Sequence, residues 1–234
     1  MKRTQLLVAI LAVLVAGGAV APDSTPAPED IGVDAAQQNL QEISVERFED
    51  PGFWLSYIPS DRGLIMHRRV TGGPADKQPI PGEEEAGLAI VDENVIGMRV
   101  NFYRRAPISV SLQPVRPLAV PGIVKTLSVW VVGRNFNHRL SIVIEDYFGN
   151  VNILPMGLLN FSGWKQLTVA VPPTVDQRNP HYNTQTGIKV LGFIIDTDLE
   201  ETYGTYYVYF DDLRAVTDLF AEESRDPDDM VDGW

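Results

Sequence analysis

Arg139-Leu140-Ser141-Ile142-Val143-Ile144-Glu145-Asp146 is the stretch on which the reading of the fold turns. Leu140, Ile142 and Ile144 recur with the two-residue period of a β-strand, which sends alternate side chains to opposite faces, so they predict a row facing a core. Phe148-Gly149-Asn150 follows as a tight turn, since glycine and asparagine tolerate the backbone angles such turns demand. Residues 151–154 then run back and close a hairpin.

Outward from this hairpin the same period returns. Residues 164–171 place Leu167, Val169 and Val171 on one side and Gln166 and Thr168 on the other, and the run stops at Pro172-Pro173, which have no amide hydrogen to continue a ladder. Strands of similar character are predicted at residues 88–91, 96–102, 108–112, 124–132, 188–197 and 205–215. In the last of these, Tyr206, Val208 and Phe210 point to the core, while Tyr207 and Tyr209 face the other way, toward sugar rings, a neighbouring subunit or a second core layer. No helical stripe competes with these signals. Eight to ten short strands separated by turns predict an all-β fold, an antiparallel two-layer jelly-roll β-sandwich spanning residues 43–216.

The flanks read differently. Lys2 and Arg3, the apolar run from Leu6 to Val15 and the small residues up to Ala21 predict a signal peptide over residues 1–21, too short to be a membrane span. With no cysteine in the chain, neither lipid attachment nor a disulfide is available, so the exported protein must rely on its core. Residues 22–42, rich in Pro, Ala, Asp and Gln, read as a flexible linker. Residues 217–234 form an acidic tail: seven acids (Asp218, Glu222, Glu223, Asp226, Asp228, Asp229 and Asp232) stand against Arg225. Such a run reads either as a solvated, disordered terminus or, since Leu219, Phe220, Met230 and Trp234 are apolar anchors within it, as a segment suited to docking on a basic surface. The net charge of −12, which becomes −14 once Lys2 and Arg3 leave with the signal peptide, argues against nucleic acid as a partner.

Catalytic chemistry finds little footing. His67, His138 and His181 lie in separate segments without metal-ligand spacing, and there is no G-x-S-x-G and no cysteine nucleophile. Glu145, Asp146, Asp196, Asp198, Asp211 and Asp212 could be paired on paper for glycoside hydrolysis, but acids at strand ends are usually solvated or hold turns. Gly72-Gly73-Pro74 and Pro81-Gly82 lack the lysine and helix of a phosphate loop, and residues 71–86 read as a surface connection. The expectation is a protein that is not an enzyme.

Four features, taken in order, resemble the β-sandwich carbohydrate-binding modules and their galactose-binding-like relatives: Phe48-Glu49-Asp50 with Trp54; Leu127-Ser128-Val129-Trp130-Val131; Gly163-Trp164-Lys165; and Tyr209-Phe210-Asp211-Asp212-Leu213. The likeness implies a structural calcium tying the first strand to the last, with Glu49 and Asp211 in the matching segments. Other phrases resemble the spirochaetal FlaA family in its treponemal form: Gly97-Met98-Arg99-Val100, Pro114-Val115-Arg116-Pro117, residues 126–130, Gly133-Arg134-Asn135-Phe136, Leu159-Asn160-Phe161-Ser162-Gly163-Trp164, and the unbroken run of residues 203–234. This resemblance is strong from Val95 onward and loose before it. It implies a structural outer-layer (sheath) subunit of the periplasmic flagellum, in contact with a FlaB-type flagellin core and other sheath subunits, contributing to filament stiffness and motility, and with no catalytic residue. Tyr207, Tyr209, Leu219, Phe220 and Trp234 are the expected partner contacts. The alternative expectation is a periplasmic carbohydrate-binding module using Tyr207 and Tyr209.

Overall fold

The computed structural model describes residues 39–80, 83, 91–179 and 182–219, with the side chains of residues 182–186 excepted, and the statements below concern these. They belong to one compact unit, residues 35–234. The expected signal peptide, nearly all of the expected linker and the tail beyond Leu219 lie outside the described residues.

In chain order the strands are β1 (Leu40–Glu46), β2 (Trp54–Tyr57), β3 (Gly63–Thr71), β4 (Asn94–Phe102), β5 (Ser109–Pro114), β6 (Leu118–Val120) and β7 (Ile123–Arg134). There follow β8 (Arg139–Glu145), β9 (Val151–Leu158), β10 (Ser162–Ala170), β11 (Arg178–Asn179), β12 (Tyr182–Thr186), β13 (Ile188–Asp196) and β14 (Thr205–Asp218). Single 3-10 turns at Pro51–Phe53 and Leu199–Glu201 are the only helical pieces among the described residues. One sheet runs β10-β7-β14-β4-β3 with β1 also on β14, and the other runs β2-β5-β13-β8-β9 with β6 also on β13. Every pairing is antiparallel, including the small β11-β12 ribbon.

The two sheets share a design. Each is organised by one long strand that takes a single neighbour on one side and two short neighbours, end to end, on the other. On β14 these are β4, against Thr205 to Phe210, and then β1, against Leu213 to Asp218. On β13 they are β6 and β5. Each long strand bulges near the handover. In β13 the bulge falls at Gly192, whose φ of 134° and closeness to the Leu112 carbonyl leave no room for a Cβ. In β14 it falls between Asp211 and Arg214, with Asp212 at φ 50°.

The β14 bulge changes the phase of the strand. Before it the even residues Tyr206, Val208 and Phe210 are buried; after it the odd residues Leu213, Ala215 and Thr217 are. One extra residue exchanges the faces, as the two-residue period requires. The expected core rows are in place, with Leu140, Ile142 and Ile144 fully buried.

Boundaries differ from the sequence reading at both ends of the domain. β1 starts at Leu40, inside the span read as linker, because Leu40 pairs with Asp218 and Gln41 with Thr217. The ladder recruits polar residues that no periodicity would select, and it carries β14 two residues past 216. Of the predicted strand at residues 88–91 only Val91 is described, and it lies outside any strand.

Between the sheets an aromatic cluster fills the core. Phe48, in the loop after β1, stacks on Trp54 at 4.8 Å, and its ring lies 6.2 Å from both Phe193 of β13 and Phe210 of β14. Phe193 and Phe210 meet across the sheets at 5.2 Å. Phe48 adopts φ 61°, a left-handed conformation that bulky L-residues rarely take, so the packing of its ring must offset the backbone cost. Phe48→Ala should lower stability by ~3–5 kcal/mol in urea unfolding, while Phe148→Ala, on a turn where the ring is 56% exposed, should change it by less than ~0.5 kcal/mol. Equal losses at the two sites would mean that Phe48 is not the keystone of the core.

Candidate functional site

Two features stand out once the sheets are in place: a buried cluster of charges at the β14 bulge, and a basic, aromatic outer face on the first half of the same strand.

At the bulge Asp211 and Asp212 lie beneath the connection after β3, and both are essentially without solvent exposure. Lys77, from the connection after β3, donates to Asp211 Oδ2 at 2.8 Å and to Asp92 Oδ1 at 2.6 Å. Arg47 reaches Asp92 Oδ2 at 3.4 Å and Glu83 Oε2 at 2.6 Å. Arg214 donates from Nε to Asp212 Oδ2 at 2.7 Å and from Nη2 to the Gln78 carbonyl, with Glu42 at 3.5 Å. Glu49 accepts from the Glu93 and Asn94 amides at 2.6 and 2.8 Å and from Asn94 Nδ2 at 2.7 Å. The cluster thus ties the loop after β1, the connection after β3 and the approach to β4 onto the middle of β14.

Burial pushes the Asp211 carboxyl up to about 6, with Lys77 pulling it back and Asp92 and Asp212 adding to the rise. For Lys77 burial works against the ammonium, but the bonds to Asp211 and Asp92 outweigh it and its pKa is raised. The two directions agree: Lys77 answers to two carboxylates, whereas Asp211 has one ammonium and two acids beside it. Asp211 Oδ1 and Asp212 Oδ1 are buried without a partner. Burial also opposes ionisation of Glu49, yet its three N–H donors and the Lys77 charge lower its pKa.

Of Glu49 and Asp211, the expected calcium ligands, Asp211 bonds the Lys77 ammonium, whose charge also lowers the Glu49 pKa. Both Glu49 oxygens are taken by protein N–H groups and Asp211 Oδ2 by the ammonium, a donor set that does not fit an ion wanting six to eight oxygens. Among the described residues no group of three or more His, Asp or Glu side chains is placed to hold a metal. Lys77 escaped the sequence reading because it sits in a stretch without periodicity; its only signal is a lone base in an acidic loop.

The outer face of β3, β4, β14 and β7 is set by register. Met66 lies opposite Arg99, and Arg99 opposite Tyr207; in the next row Arg68 lies opposite Gly97, and Gly97 opposite Tyr209. The Tyr209 ring lies across Gly97, where a Cβ would come within 2.9 Å of it. Arg134, ending β7, holds its guanidinium 5.5 Å from the centre of the Tyr209 ring, a cation–π contact. A hollow of about 470 Å³ is lined by Arg134, Phe136, Thr205, Tyr207 and Tyr209. A second, of about 160 Å³, continues over Met66, Arg68, Val70 and Arg99. Neither is lined by an acid, and Arg68, Arg99 and Arg134 make no salt bridge among the described residues.

Tyr207 and Tyr209 therefore face outward as the alternation predicts, with Tyr207 43% exposed. Leu219 lies against Gly122 with its N–H on the Asn39 carbonyl. Phe220 and Trp234 lie outside the described residues, as does His181. His67 bonds Ser56 Oγ at 2.8 Å and the Pro51 carbonyl at 3.1 Å. His138 is buried against Phe136 and Tyr206 and accepts the Asp198 amide at Nδ1, and burial lowers its pKa against the pull of Glu201 and Asp198. The acids away from the bulge have structural partners: Glu145 pairs with Lys189, Asp146 holds the Phe148–Asn150 turn, Asp196 accepts from Ser109 and Asp198 caps a 3-10 turn.

The buried carboxyl has a measurable consequence. Folded, Asp211 takes its proton as pH falls through about 6, whereas the ordinary value is 3.8. Between these values the folded state holds more protons, so this group's contribution to stability rises as pH falls and is lost as pH climbs back. Relative to Asp211→Asn, in which Glu49 and the other acids are unchanged, the wild type should gain ~1–3 kcal/mol on going from neutral pH to about pH 4. Urea unfolding at a series of pH values checks this; a flat difference, or one of opposite sign, would mean that Asp211 stays ionised.

The family model described as flagellar filament outer layer protein Flaa matches residues 19–225. A flagellar filament outer layer-like protein of Brachyspira hyodysenteriae is 35% identical over 190 residues, covering 81% of this chain and 85% of that one. The flagellar filament outer layer proteins of Spirochaeta aurantia and Treponema pallidum are 29% and 31% identical over 125 and 105 residues, 46% and 42% of this chain. The matched part spans about a third of each of those two, 35% and 30%. Among solved structures, a family 11 carbohydrate-binding module from Clostridium thermocellum is similar at 12% identity and a TM-score of 0.46, covering 76% of this chain and 97% of that one. A match that runs through both sheets, together with a relative 35% identical across most of both chains, means that the protein belongs to the FlaA family of flagellar filament outer layer proteins.

Proposed function

We propose that the protein is exported to the periplasm of a spirochaete and coats the flagellin core of the periplasmic flagellar filament as an outer-layer (sheath) subunit, adding stiffness to the filament and so bearing on motility. The observation that carries this reading is the family match over residues 19–225. The acid-free Arg68–Arg99–Arg134 face with Tyr207 and Tyr209 supports it, because a coat subunit needs an exposed surface with anchors of the kind that dominate protein contacts. The role involves no catalytic step and no metal: Lys77 serves as the cation between Asp211 and Asp92. Titration calorimetry with millimolar calcium should accordingly give no binding heat, and a saturable isotherm would overturn that part.

A second reading, a periplasmic carbohydrate-binding module, is favoured by Tyr207 and Tyr209 lining an open hollow where rings could stack on sugars. Co-sedimentation with isolated flagellar cores separates the two. The coat reading expects the protein to pellet with flagellin and to resist competition by free sugars, and Tyr207→Ala with Tyr209→Ala to weaken pelleting by about tenfold or more. Immunogold labelling should decorate the filaments along their length. Elution by simple sugars, turnover of a substrate, or protein left in the cell body after flagella are sheared away would sink the coat reading.

A further inference from the structure

We propose that the Arg68–Arg99–Arg134 face is the docking site for the acidic tail, residues 220–234, of a neighbouring copy of this chain, so that subunits join head to tail. The inference deepens the coat reading and rests on it only for its biological setting.

Charge is the first ground. The chain carries 31 acids against 19 bases, yet among the described residues the two hollows on this face are lined by three arginines and no carboxylate. Asp92, Asp211 and Asp212 are paired with Arg47, Lys77 and Arg214, and Asp61 with Arg104. Their complement in the sequence is the tail, where Glu222, Glu223, Asp226, Asp228, Asp229 and Asp232 face only Arg225. A potential of one sign meeting a segment of the other steers association and fixes orientation.

Shape and chemistry are the second ground. The face offers exposed Met66 and Tyr207 beside the arginines, a mixed apolar and cationic surface. The tail interleaves Phe220, Met230 and Trp234 with its acids, so apolar anchors and charges can be satisfied together.

Direction is the third ground, and it selects a second copy. Tyr207 and Tyr209 sit near the start of β14, whereas the tail departs from its end, where the Leu219 amide is tied to the Asn39 carbonyl and its side chain lies against Gly122. The path back from Asp218 to Tyr209 is roughly 30 Å along the strand. A fifteen-residue tail can span roughly 50 Å, but only by reversing at once where it is pinned. The same face on a second copy can be reached without that reversal. Such a contact joins two different surfaces and propagates as an open chain, as a coat along a filament requires.

Two variants of the processed protein test this by sedimentation velocity. One carries Arg99→Glu and Arg134→Glu on the face, and the other Asp226→Asn, Asp228→Asn, Asp229→Asn and Asp232→Asn in the tail. The wild type should self-associate at low salt and dissociate as salt rises. Each variant alone should associate at least about tenfold more weakly, and an equimolar mixture should recover a complex that stops at two chains, the intact tail of the first seated on the intact face of the second. Circular dichroism checks folding, and Arg99→Gln with Arg134→Gln replaces the face variant if charge reversal disturbs it. A wild type that stays monomeric, as docking within one chain would give, a tail variant that associates like wild type, or a mixture that recovers nothing would each overturn the proposal. If the tail variant self-associates like the wild type and still pellets with flagellar cores, the inference fails while the coat role stands.

Discussion

The register of β14 against its neighbours depends on two carboxylates that the strand cannot expose. Asp211 and Asp212 sit where β14 passes from pairing with β4 to pairing with β1, and both are buried. Charges taken out of water are tolerated only when partners and hydrogen bonds offset the desolvation, and removing one member of such a pair typically costs about 3–5 kcal/mol. Lys77 and Arg214 supply the partners, with Asp92 and the Gln78 carbonyl holding those two in turn. The connection after β3 and the bulge therefore depend on each other. Placing Lys77 fixes the loop over the bulge, and the bulge sets the phase by which Leu213, Ala215 and Thr217 point inward.

That phase change is also what gives the molecule two different surfaces on one strand. Ahead of the bulge, Tyr207 and Tyr209 stand on the outer face because Tyr206, Val208 and Phe210 fill the core. Had the alternation run on unbroken, Asp212 and Arg214 would have continued the inward row and Leu213 and Ala215 would have faced out. The extra residue keeps the apolar row on the core side for the whole strand, and the polar pair is held at the point where the faces exchange. Gly192 solves the corresponding problem in the other sheet without charge, by removing the side chain altogether.

Much of this was legible in the sequence, though unevenly. Leu140, Ile142 and Ile144, and the even residues of early β14, announce themselves because one face of each strand is buried and the other is not. β3 does not, since Leu64 and Met66 are apolar yet point outward, and its arginines follow one another at 68 and 69. β1 is hidden for another reason: Gln41 and Glu42 are strand residues only because Thr217 and Val216 lie opposite them. At the site, two acids from distant segments could be brought together on paper, but the identity of the cation between them could not, because nothing in the spacing of a loop says that its lysine will fold inward. One signal was present and unused. The apolar phase of residues 206–215 switches from even to odd, and such a switch within a strand is the mark of a bulge.

The distribution of charge follows from the same constraint. A chain with 31 acids and 19 bases must put its excess negative charge somewhere that neither repels its own core nor blocks the surfaces it uses. Some acids are neutralised inside the bulge cluster, some hold turns, and many are gathered after Leu219. What remains on the outer face of β3, β4 and β14 is basic and aromatic, and it is kept so locally: Gly97 makes room for the Tyr209 ring, and that ring in turn lies under the Arg134 guanidinium. An acid introduced at a position such as Thr205 or Val70 would meet an arginine within the same face and cancel the field that distinguishes it from the rest of the molecule. Sheet register, the bulge and the segregation of charge are therefore one arrangement: the buried ion cluster sets the phase of β14, and the phase decides which side chains the molecule presents to a partner.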